Sequence, residues 1–332
     1  PIFLIKKLLN LINIKNNLYK TVIISSFFML SELSRYYLLN GVPWLIPGNI
    51  YLDTVTQNIY SLLGVSGASI LIYLISSNLA ILYNQTRFFY IIVLLSVISI
   101  VPSYKNDNNS DGIKVSIIQP SSDPFLKYKA NYHYDIEQNL LNLLQKTSKD
   151  TQLIVLPEAE LPYALNDPKF NRFINKVPQY EKIVMGIWNI EENKLYNSIY
   201  SLENRDLYKK IHLVPFGEYI PFIESLRGLI SFFNLPMSNV THGKKNQKNI
   251  HIFNDMKVAT PICFDISFPE TIRIMNKSSV LMINISNDTW FGNSIGPHHH
   301  LEIARIRSIE NNRWTVRATN DGYSAFISNK GT

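Results

Sequence analysis

The pattern of apolar and polar positions divides the chain into two parts. Residues 54–86 contain no charged side chain, and charged residues make up only 17% of the whole chain, against about 25% in a typical soluble domain. Apolar runs near 18–39, 61–82 and 84–103 are each long enough to cross a bilayer, which takes about 20 helical residues. The pattern therefore predicts a membrane part over residues 1–104 with about three transmembrane α-helices.

A different pattern follows a polar linker at 105–112. Short apolar runs bounded by turn residues alternate there with segments of helical periodicity, as expected for buried strands and the helices that cover them. The predicted strands are 115–118, 153–156, 183–187, 258–263, 280–285, 315–318 and 324–327, and the predicted helices are 132–144, 268–275 and 299–311. Residues 113–332 are thus expected to form an α/β domain with a central sheet between helices.

The basic residues predict how the chain is oriented. Lys6, Lys7, Lys15 and Lys20 precede the first apolar run, with no acid among the first 20 residues. A basic stretch can bind nucleic acid, but one that borders an apolar span is typical of a cytoplasmic flank. With Arg87 on the same side, the residues after the third run are expected on the outer face of the membrane. We expect no nucleic-acid partner.

Cys263 is the only cysteine in the chain, so an intramolecular disulfide is impossible. It ends the apolar run 258–263 and is followed closely by Asp265. A thiol at such a strand end can act as a nucleophile. A buried free cysteine is also common as an inert, small apolar side chain. This stretch alone does not decide between the two.

Two other predicted strand ends carry charged side chains. Glu158 is the first acid after the run 153–156, and Lys210 lies between apolar flanks, ahead of Glu218. Strand ends are where active sites gather in α/β sheets. Taken singly, Glu158 also fits an exposed loop carboxylate, and Lys210 an exposed lysine on an edge strand.

Together the three strand ends resemble the nitrilase superfamily, whose members carry Glu, Lys and Cys at strand ends of an αββα sandwich. The order and the spacing match, with Lys210 52 residues after Glu158 and Cys263 a further 53 residues on. The resemblance implies a nitrilase-like αββα sandwich preceded by transmembrane α-helices. It implies that Cys263 is the nucleophile, Glu158 the general base and Lys210 the oxyanion stabiliser, with Glu218 as a second active-site carboxylate.

The amino-acid sequences of several motifs are similar to those of the apolipoprotein N-acyltransferase family. The matching segments are Gly-Val-Pro-Trp at 41–44, Pro-Glu-Ala-Glu-Leu-Pro at 157–162, His-Leu-Val-Pro-Phe-Gly-Glu-Tyr at 212–219, Ser-Asn-Asp-Thr-Trp-Phe-Gly at 286–292, Ala-Arg-Ile-Arg at 304–307 and Thr-Asn-Asp-Gly at 319–322. The resemblance covers nearly the whole chain but lacks the family's first few spans and its last. We therefore expect a sequence truncated at both ends.

The chain departs from that family's pattern in two places. The family typically has Tyr-Glu after the cysteine, where this chain has Phe264 and Asp265. It usually has Lys-Trp where this chain has Lys127 and Tyr128. The resemblance places Phe264, Asp265 and Tyr128 in a supporting or substrate-binding set, with aromatic and acidic character retained.

The resemblance also implies an activity. The chain would transfer a fatty acyl group from a membrane phospholipid to the N-terminal amine of diacylglyceryl-cysteine in apolipoproteins, through a thioester on Cys263. It would act without a cofactor, as a monomeric, multi-pass protein of the bacterial cytoplasmic (inner) membrane, with its catalytic domain on the periplasmic face. Two alternatives remain open: a membrane-anchored nitrilase-type amidase, in which water resolves the thioester, and a non-catalytic truncated remnant.

The run His298-His299-His300 raises the question of a metal site. Adjacent histidines on a helix cannot all face one metal ion, and the sequence has no second cysteine and no His-Glu-x-x-His pattern. We expect no metal there, and instead a role at the start of a helix or in the wall of the active site.

Overall fold

The computed structural model describes residues 15–38, 41–82, 112–219 and 239–332, together with Lys7, Ile92, Val93 and Ser96. The chain divides into two compact units, Pro1–Asn106 and Asp107–Thr332. Most of the predicted third span at 84–103 and nearly all of the linker at 105–112 lie outside the described residues. The count of three spans therefore stays a prediction.

Among its described residues the N-terminal unit contains two long helices, α1 (Asn17–Ser34) and α2 (Ile59–Leu82). Among the described residues, Ile59–Ile81 is the one helix that is long and apolar enough to cross a membrane by length and composition. The predicted first span at 18–39 is too long, because α1 ends at Ser34 and the chain then turns. The Arg35 guanidinium stabilises this turn by donating a hydrogen bond to the Leu45 carbonyl at 2.5 Å.

Polar contacts join α1 to α2. The Ser25 hydroxyl lies 3.0 Å from the Tyr73 carbonyl and 3.1 Å from the Ser77 hydroxyl. The Tyr73 hydroxyl in turn donates to the carboxylate of buried Glu32 at 2.9 Å. Such hydrogen bonds stabilise paired helices in an apolar environment, where water cannot bond these groups.

The C-terminal unit contains ten strands and four helices among its described residues. The strands are β1 (Val115–Ile117), β2 (Leu153–Val155), β3 (Ile183–Glu191), β4 (Lys194–Ser201), β5 (Leu207–Lys209), β6 (Ile250–Ile252), β7 (Met256–Ala259), β8 (Leu281–Ser286), β9 (Thr315–Thr319) and β10 (Ala325–Ile327). The helices are α3 (His133–Gln145), α4 (Pro168–Ile174), α5 (Pro269–Asn276) and α6 (Gly296–Asn311). Strands β4, β5 and β6 and helix α4 were not among the predicted elements.

The strands form two five-stranded sheets, ordered β1-β2-β3-β4-β5 and β10-β9-β8-β7-β6. In each sheet three neighbouring strands pair in parallel and the rest are antiparallel. Periodicity alone predicted one central sheet, because a run of buried residues does not specify its neighbours. The two sheets agree instead with the nitrilase-like αββα fold that the resemblance implies. Apolar residues of α3 and α4 pack against the first sheet, and α5 and α6 lie beside strands of the second.

The predicted strand 258–263 is also too long. Strand β7 ends at Ala259, and Pro261 has no N–H with which to continue the ladder. Ile262 keeps only an isolated bridge to Ile285. A 3₁₀ turn then begins at Cys263, whose φ of 45° lies in the left-handed region. Cys263 therefore stands in a tight turn just beyond the strand.

Candidate active site

Glu158 lies in a turn just after β2, and the backbone at Gly186 in β3 holds that turn in place. The Gly186 N–H donates to the Pro157 carbonyl at 3.1 Å. A Cβ at Gly186 would lie 2.5 Å from that carbonyl oxygen and 2.6 Å from the Glu158 Cα, closer than side-chain carbons approach backbone atoms. The next residue, Ala159, has a φ of 47°. A glycine is therefore required at 186.

The Glu158 carboxylate is buried and receives three hydrogen bonds. Its Oε1 accepts from the Asn197 side-chain amide at 2.6 Å and from the Lys210 ammonium at 3.2 Å. Its Oε2 accepts from the backbone N–H of Asn287 at 2.8 Å. Strands of both sheets therefore position this one carboxylate, since Asn197 lies in β4 and Asn287 follows β8.

Lys210 follows β5 and is 1% exposed. Its ammonium lies 3.2 Å from Glu158 and 2.8 Å from the carboxylate of Glu218. Burial lowers the pKa of Lys210, but the charges of Glu158 and Glu218 outweigh burial and hold the pKa well above its ordinary value. The side chain is therefore a permanent cation between two carboxylates.

Glu218 is fixed within its own loop. Its Oε2 accepts from the backbone N–H of Val214 at 2.8 Å, and its Oε1 accepts from Asn197 at 3.2 Å. Asn197 thus bridges the two carboxylates that flank Lys210. This role could not be predicted from the sequence, because β4 was not among the predicted strands.

Cys263 is half-buried, and its thiol interacts electrostatically with Glu158 and Lys210. Burial is the main cause that raises the pKa of the Cys263 thiol, and the negative charge of Glu158 raises it further. Lys210 lowers the pKa without cancelling that increase. The resting group is therefore a neutral thiol, beside a carboxylate that can accept its proton.

Asp265 fastens the Cys263 turn to the loop after Lys210. Its carboxylate accepts from the backbone N–H of His212 at 2.7 Å, from the Tyr208 hydroxyl at 3.1 Å and from the backbone N–H of Ile262 at 3.2 Å. Burial raises the pKa of Asp265 to about 7, against the lowering effect of these hydrogen bonds. Asp265 therefore supports the turn through backbone contacts.

The two aromatic residues of the predicted site lie in apolar surroundings. The Phe264 ring is 5% exposed and packs edge-to-face on Phe268, with 5.4 Å between ring centroids. The Tyr128 ring packs in a cluster with Ala159, and its hydroxyl accepts a hydrogen bond from the Trp188 indole at 3.0 Å. Burial raises the pKa of Tyr128. Tyr128 thus borders the Glu158 turn.

A buried ion pair supports the same turn from a second loop. The Lys127 ammonium donates to the Ala159 carbonyl at 3.1 Å and lies 3.5 Å from the Glu160 carboxylate. The Ser122 hydroxyl donates to Glu160 at 2.6 Å. Burial raises the pKa of Glu160, although Lys127 lowers it. Both charged side chains are at most 1% exposed, so the pair ties the loop at 122–127 to the turn that carries Glu158.

Behind the Cys263 turn lies a second buried network around His300, which lies near the start of α6 as predicted for the histidine run. Its partners Asp288 and Arg317 were not predicted. His300 in α6 places Nε2 3.2 Å from the Cys263 carbonyl and Nδ1 2.8 Å from Asp288 Oδ1. The Arg317 guanidinium donates to Asp288 Oδ2 at 2.7 Å and also bonds the Asn284 side chain. Burial would raise the pKa of Asp288, but Arg317 and His300 hold it well below its ordinary value.

The three consecutive histidines face different partners. His298 lies 2.5 Å from the Tyr323 hydroxyl, His299 lies 3.2 Å from Glu302, and His300 contacts Asp288 and the Cys263 carbonyl. They therefore do not converge on one point. The run at 298–300 and the motif at 286–292 were visible in the sequence, but the sequence could not assign the partners of His300.

Residues 114–332 match the carbon-nitrogen hydrolase family, and residues 2–78 match the apolipoprotein N-acyltransferase N-terminal domain. The chain is 31% identical over 330 residues to an apolipoprotein N-acyltransferase of Shewanella oneidensis, covering 92% of this chain and 63% of that protein. It is 32% identical over 338 residues to that of Haemophilus influenzae, covering 93% and 65%.

A solved amidase of the nitrilase superfamily from Nesterenkonia covers 66% of this chain and 84% of its own, with 13% identity and a TM-score of 0.44. The chain spans less than two thirds of the length of the two N-acyltransferases it matches. The family matches confirm the resemblance drawn from the motifs. The chain belongs to the carbon-nitrogen hydrolase family, and its N-terminal part matches the domain that precedes the hydrolase domain in apolipoprotein N-acyltransferases.

Proposed function

We propose that this chain is the acyl-transferring part of an apolipoprotein N-acyltransferase, with Cys263 as nucleophile, Glu158 as general base and Lys210 as oxyanion stabiliser. The observation that carries the proposal is the buried Lys210 ammonium between Glu158 and Glu218, next to the only thiol. A permanent cation in a buried site favours charge that develops on a reacting oxygen. The similarity to N-acyltransferases supports the substrate class.

The first half-reaction forms a thioester. Because the resting Cys263 is a neutral thiol, Glu158 takes its proton as the sulfur attacks the ester carbonyl of a phospholipid. The oxyanion is stabilised by the Lys210 ammonium and by the backbone N–H of Phe264. When the tetrahedral intermediate collapses, the C–O bond breaks and Glu158 returns the proton to the oxygen of the departing lysophospholipid.

The second half-reaction transfers the acyl group. The N-terminal amine of a diacylglyceryl-cysteine protein attacks the thioester, and Glu158 takes the proton that this nitrogen loses. The same two donors hold the second oxyanion. The C–S bond then breaks, Glu158 protonates the Cys263 sulfur, and an amide is released. Glu218 and Asn197 hold the side chains of Lys210 and Glu158 in position by hydrogen bonds through both steps.

The substrates fit a site next to a bilayer. Both the donor and the acceptor are anchored in lipid, so a chain held in the same membrane meets them at high effective concentration. The apolar helix Ile59–Ile81 supplies one such anchor. The basic N-terminal flank and Arg87 support an orientation with residues 106–332 on the periplasmic face. A phosphatase fused after Thr332 should be active, whereas a reporter that works only in the cytoplasm should be silent. The reverse pattern would contradict this orientation.

The test is to look for the intermediate. The full chain, purified in detergent with phospholipid and no acceptor, should gain one fatty-acyl mass, removable by neutral hydroxylamine and absent in Cys263→Ala. A diacylglyceryl-cysteine peptide should discharge the acyl group as an amide. An amidase would instead hydrolyse soluble amides and carry no lipid adduct, and a non-catalytic remnant would do neither.

A further inference from the structure

The proposed chemistry gives no direct role to the buried network of His300, Asp288 and Arg317. All three side chains are at most 1% exposed, although each carries polar atoms that are costly to bury. The ring of His300 reaches the Cys263 carbonyl at 3.2 Å. This is a contact with the backbone of the proposed nucleophile, from the side of helix α6.

The peptide between Cys263 and Phe264 connects this contact to the proposed oxyanion site. The peptide is trans, so its carbonyl and its N–H point in opposite directions within one plane. Any group that fixes the Cys263 carbonyl therefore also fixes the direction of the Phe264 N–H. If this peptide turned over, the carbonyl oxygen would take the place of the N–H donor.

The local backbone needs such a constraint. Cys263 has a φ of 45°, and a non-glycine residue in a sparsely populated region costs about 1–3 kcal/mol unless its surroundings hold it there. On one side of Cys263, Asp265 accepts from the Ile262 N–H at 3.2 Å. On the other side, His300 bonds the Cys263 carbonyl. The two contacts together define the turn.

Asp288 and Arg317 explain how a buried histidine can donate here. His300 Nε2 faces the Cys263 carbonyl and Nδ1 faces the Asp288 carboxylate. A carbonyl oxygen can only accept, so the bond to Cys263 needs a proton on Nε2. Burial, followed by Arg317, lowers the pKa of His300, whereas Asp288 raises it in opposition. Arg317 in turn keeps Asp288 ionised. Overall the pKa of His300 lies below its ordinary value, and Asp288 holds the ring in place through its contact with Nδ1.

We propose that His300, held by Asp288, is a positioning residue that orients the Cys263–Phe264 peptide so that the Phe264 N–H faces the oxyanion. The inference rests on the proposed function in one respect, that Cys263 is acylated through a tetrahedral oxyanion. It adds a residue that acts only on the part of the reaction in which this oxyanion exists.

The experiment compares two reactions of Cys263 in the full chain in detergent. Alkylation by iodoacetamide forms no oxyanion, whereas acylation by a p-nitrophenyl fatty-acyl ester does. His300→Leu should lower the acylation rate by about 100-fold, the scale of losing one oxyanion donor, and leave alkylation nearly unchanged. His300→Gln should recover most of the acylation, because its amide nitrogen can stand where Nε2 stands and donate without an extra proton. His300→Asn, which can reach only Asp288, should not recover it.

His299→Gln is the matched control. The His299 ring contacts Glu302, so this substitution should affect neither reaction. Unchanged acylation in His300→Leu, or an equal loss of both reactions in every His300 variant, would overturn the inference. If the unaltered chain accepts the activated ester but no phospholipid, the donor assignment fails while the ratio of the two rates still decides the role of His300. If neither donor gives a thioester, Cys263 is not acylated and the inference falls with it.

Discussion

Replacing Lys210 with methionine removes the cation that stabilises the oxyanion in the proposed mechanism. Its ammonium lies 3.2 Å from Glu158 and 2.8 Å from Glu218. Without it, Glu158 keeps the donors Asn197 and the Asn287 N–H, and Glu218 keeps Asn197 and the Val214 N–H. Both carboxylates therefore retain hydrogen bonds, and we expect a folded protein.

Two magnitudes follow for Lys210→Met. Loss of one oxyanion donor costs about 100-fold to 1000-fold in rate, and Lys210 is charged, so at least ~100-fold slower thioester formation is expected. Breaking a buried ion pair also costs about 3–5 kcal/mol of stability. The retained hydrogen-bond donors should keep the loss of stability at the lower end of this range. The acylation rates are to be measured well below the Tm of the variant, so that unfolding does not contribute.

Lys209→Met is the control. Lys209 precedes Lys210 directly, but adjacent strand residues face opposite sides of the sheet. Its ammonium pairs with the exposed Glu191 and lies 4.3 Å from the centre of the Tyr196 ring. An exposed pair of this kind is worth about 0–1 kcal/mol. This variant should form the thioester at nearly the normal rate.

The assay is the initial rate of fatty-acyl mass gain on Cys263, with Tm measured on the same samples. Equal losses in Lys210→Met and Lys209→Met would refute the assignment of Lys210 to the oxyanion. So would a Lys210→Met protein that stays folded and acylates within tenfold of the normal rate, since a single donor is worth more than that. Loss of the fold at all temperatures would instead show that the retained hydrogen bonds do not compensate for the cation.

Three further predictions concern residues that position the catalytic side chains. Gly186→Ala should slow acylation by about 10-fold to 100-fold, because the new Cβ displaces Glu158. The control Gly112→Ala adds a Cβ in open space and should have no effect; equal acylation rates in the two variants would contradict the predicted clash at Gly186. In the unaltered chain, Tm should fall as the pH rises from 4 to 7, because the pKa of Asp265 is about 7 in the folded state and lower in the unfolded state. Asp265→Asn should abolish this fall, and parallel Tm profiles of the two proteins would contradict the prediction. Lys127→Met should lower Tm, because it leaves the Glu160 carboxylate buried without its cation. The double variant Lys127→Met, Glu160→Gln should recover part of this loss. A further fall in the Tm of the double variant would exclude the ion pair as the cause.

The residues of the proposed site were easier to single out from the sequence than the residues that surround them. Glu158, Lys210 and Cys263 stood out because a charge or a thiol after an apolar run is conspicuous. Asn197 did not, since polar and apolar residues do not alternate in the strand Lys194–Ser201, and its sequence therefore does not indicate a strand. The hairpin before that strand turns at Glu192 and Asn193, which both have positive φ but lack the glycine that usually marks such a turn.

The strand boundaries failed for a related reason. Periodicity records which positions are buried, but it does not record which strand pairs with which. Strand 258–263 was predicted through Cys263, because Ile262 and Cys263 continue an apolar run. The structure ends the strand at Ala259. Pro261 was a signal for this end, since proline cannot continue a strand ladder, but the left-handed φ of Cys263 is seen only in the structure.

Two of the proposed catalytic residues, Glu158 and Cys263, lie in turns that are each supported by a buried charge pair with no part in the proposed reaction. Lys127 and Glu160 hold the turn of Glu158 from one side. Asp288 and Arg317 hold the ring that bonds the Cys263 carbonyl from the other. A buried pair is weak support for stability, because desolvation offsets most of its attraction, but it fixes direction well, since an unpaired partner is so costly. Removing both members of such a pair should therefore cost little stability and much acylation rate, which no purely structural role would produce.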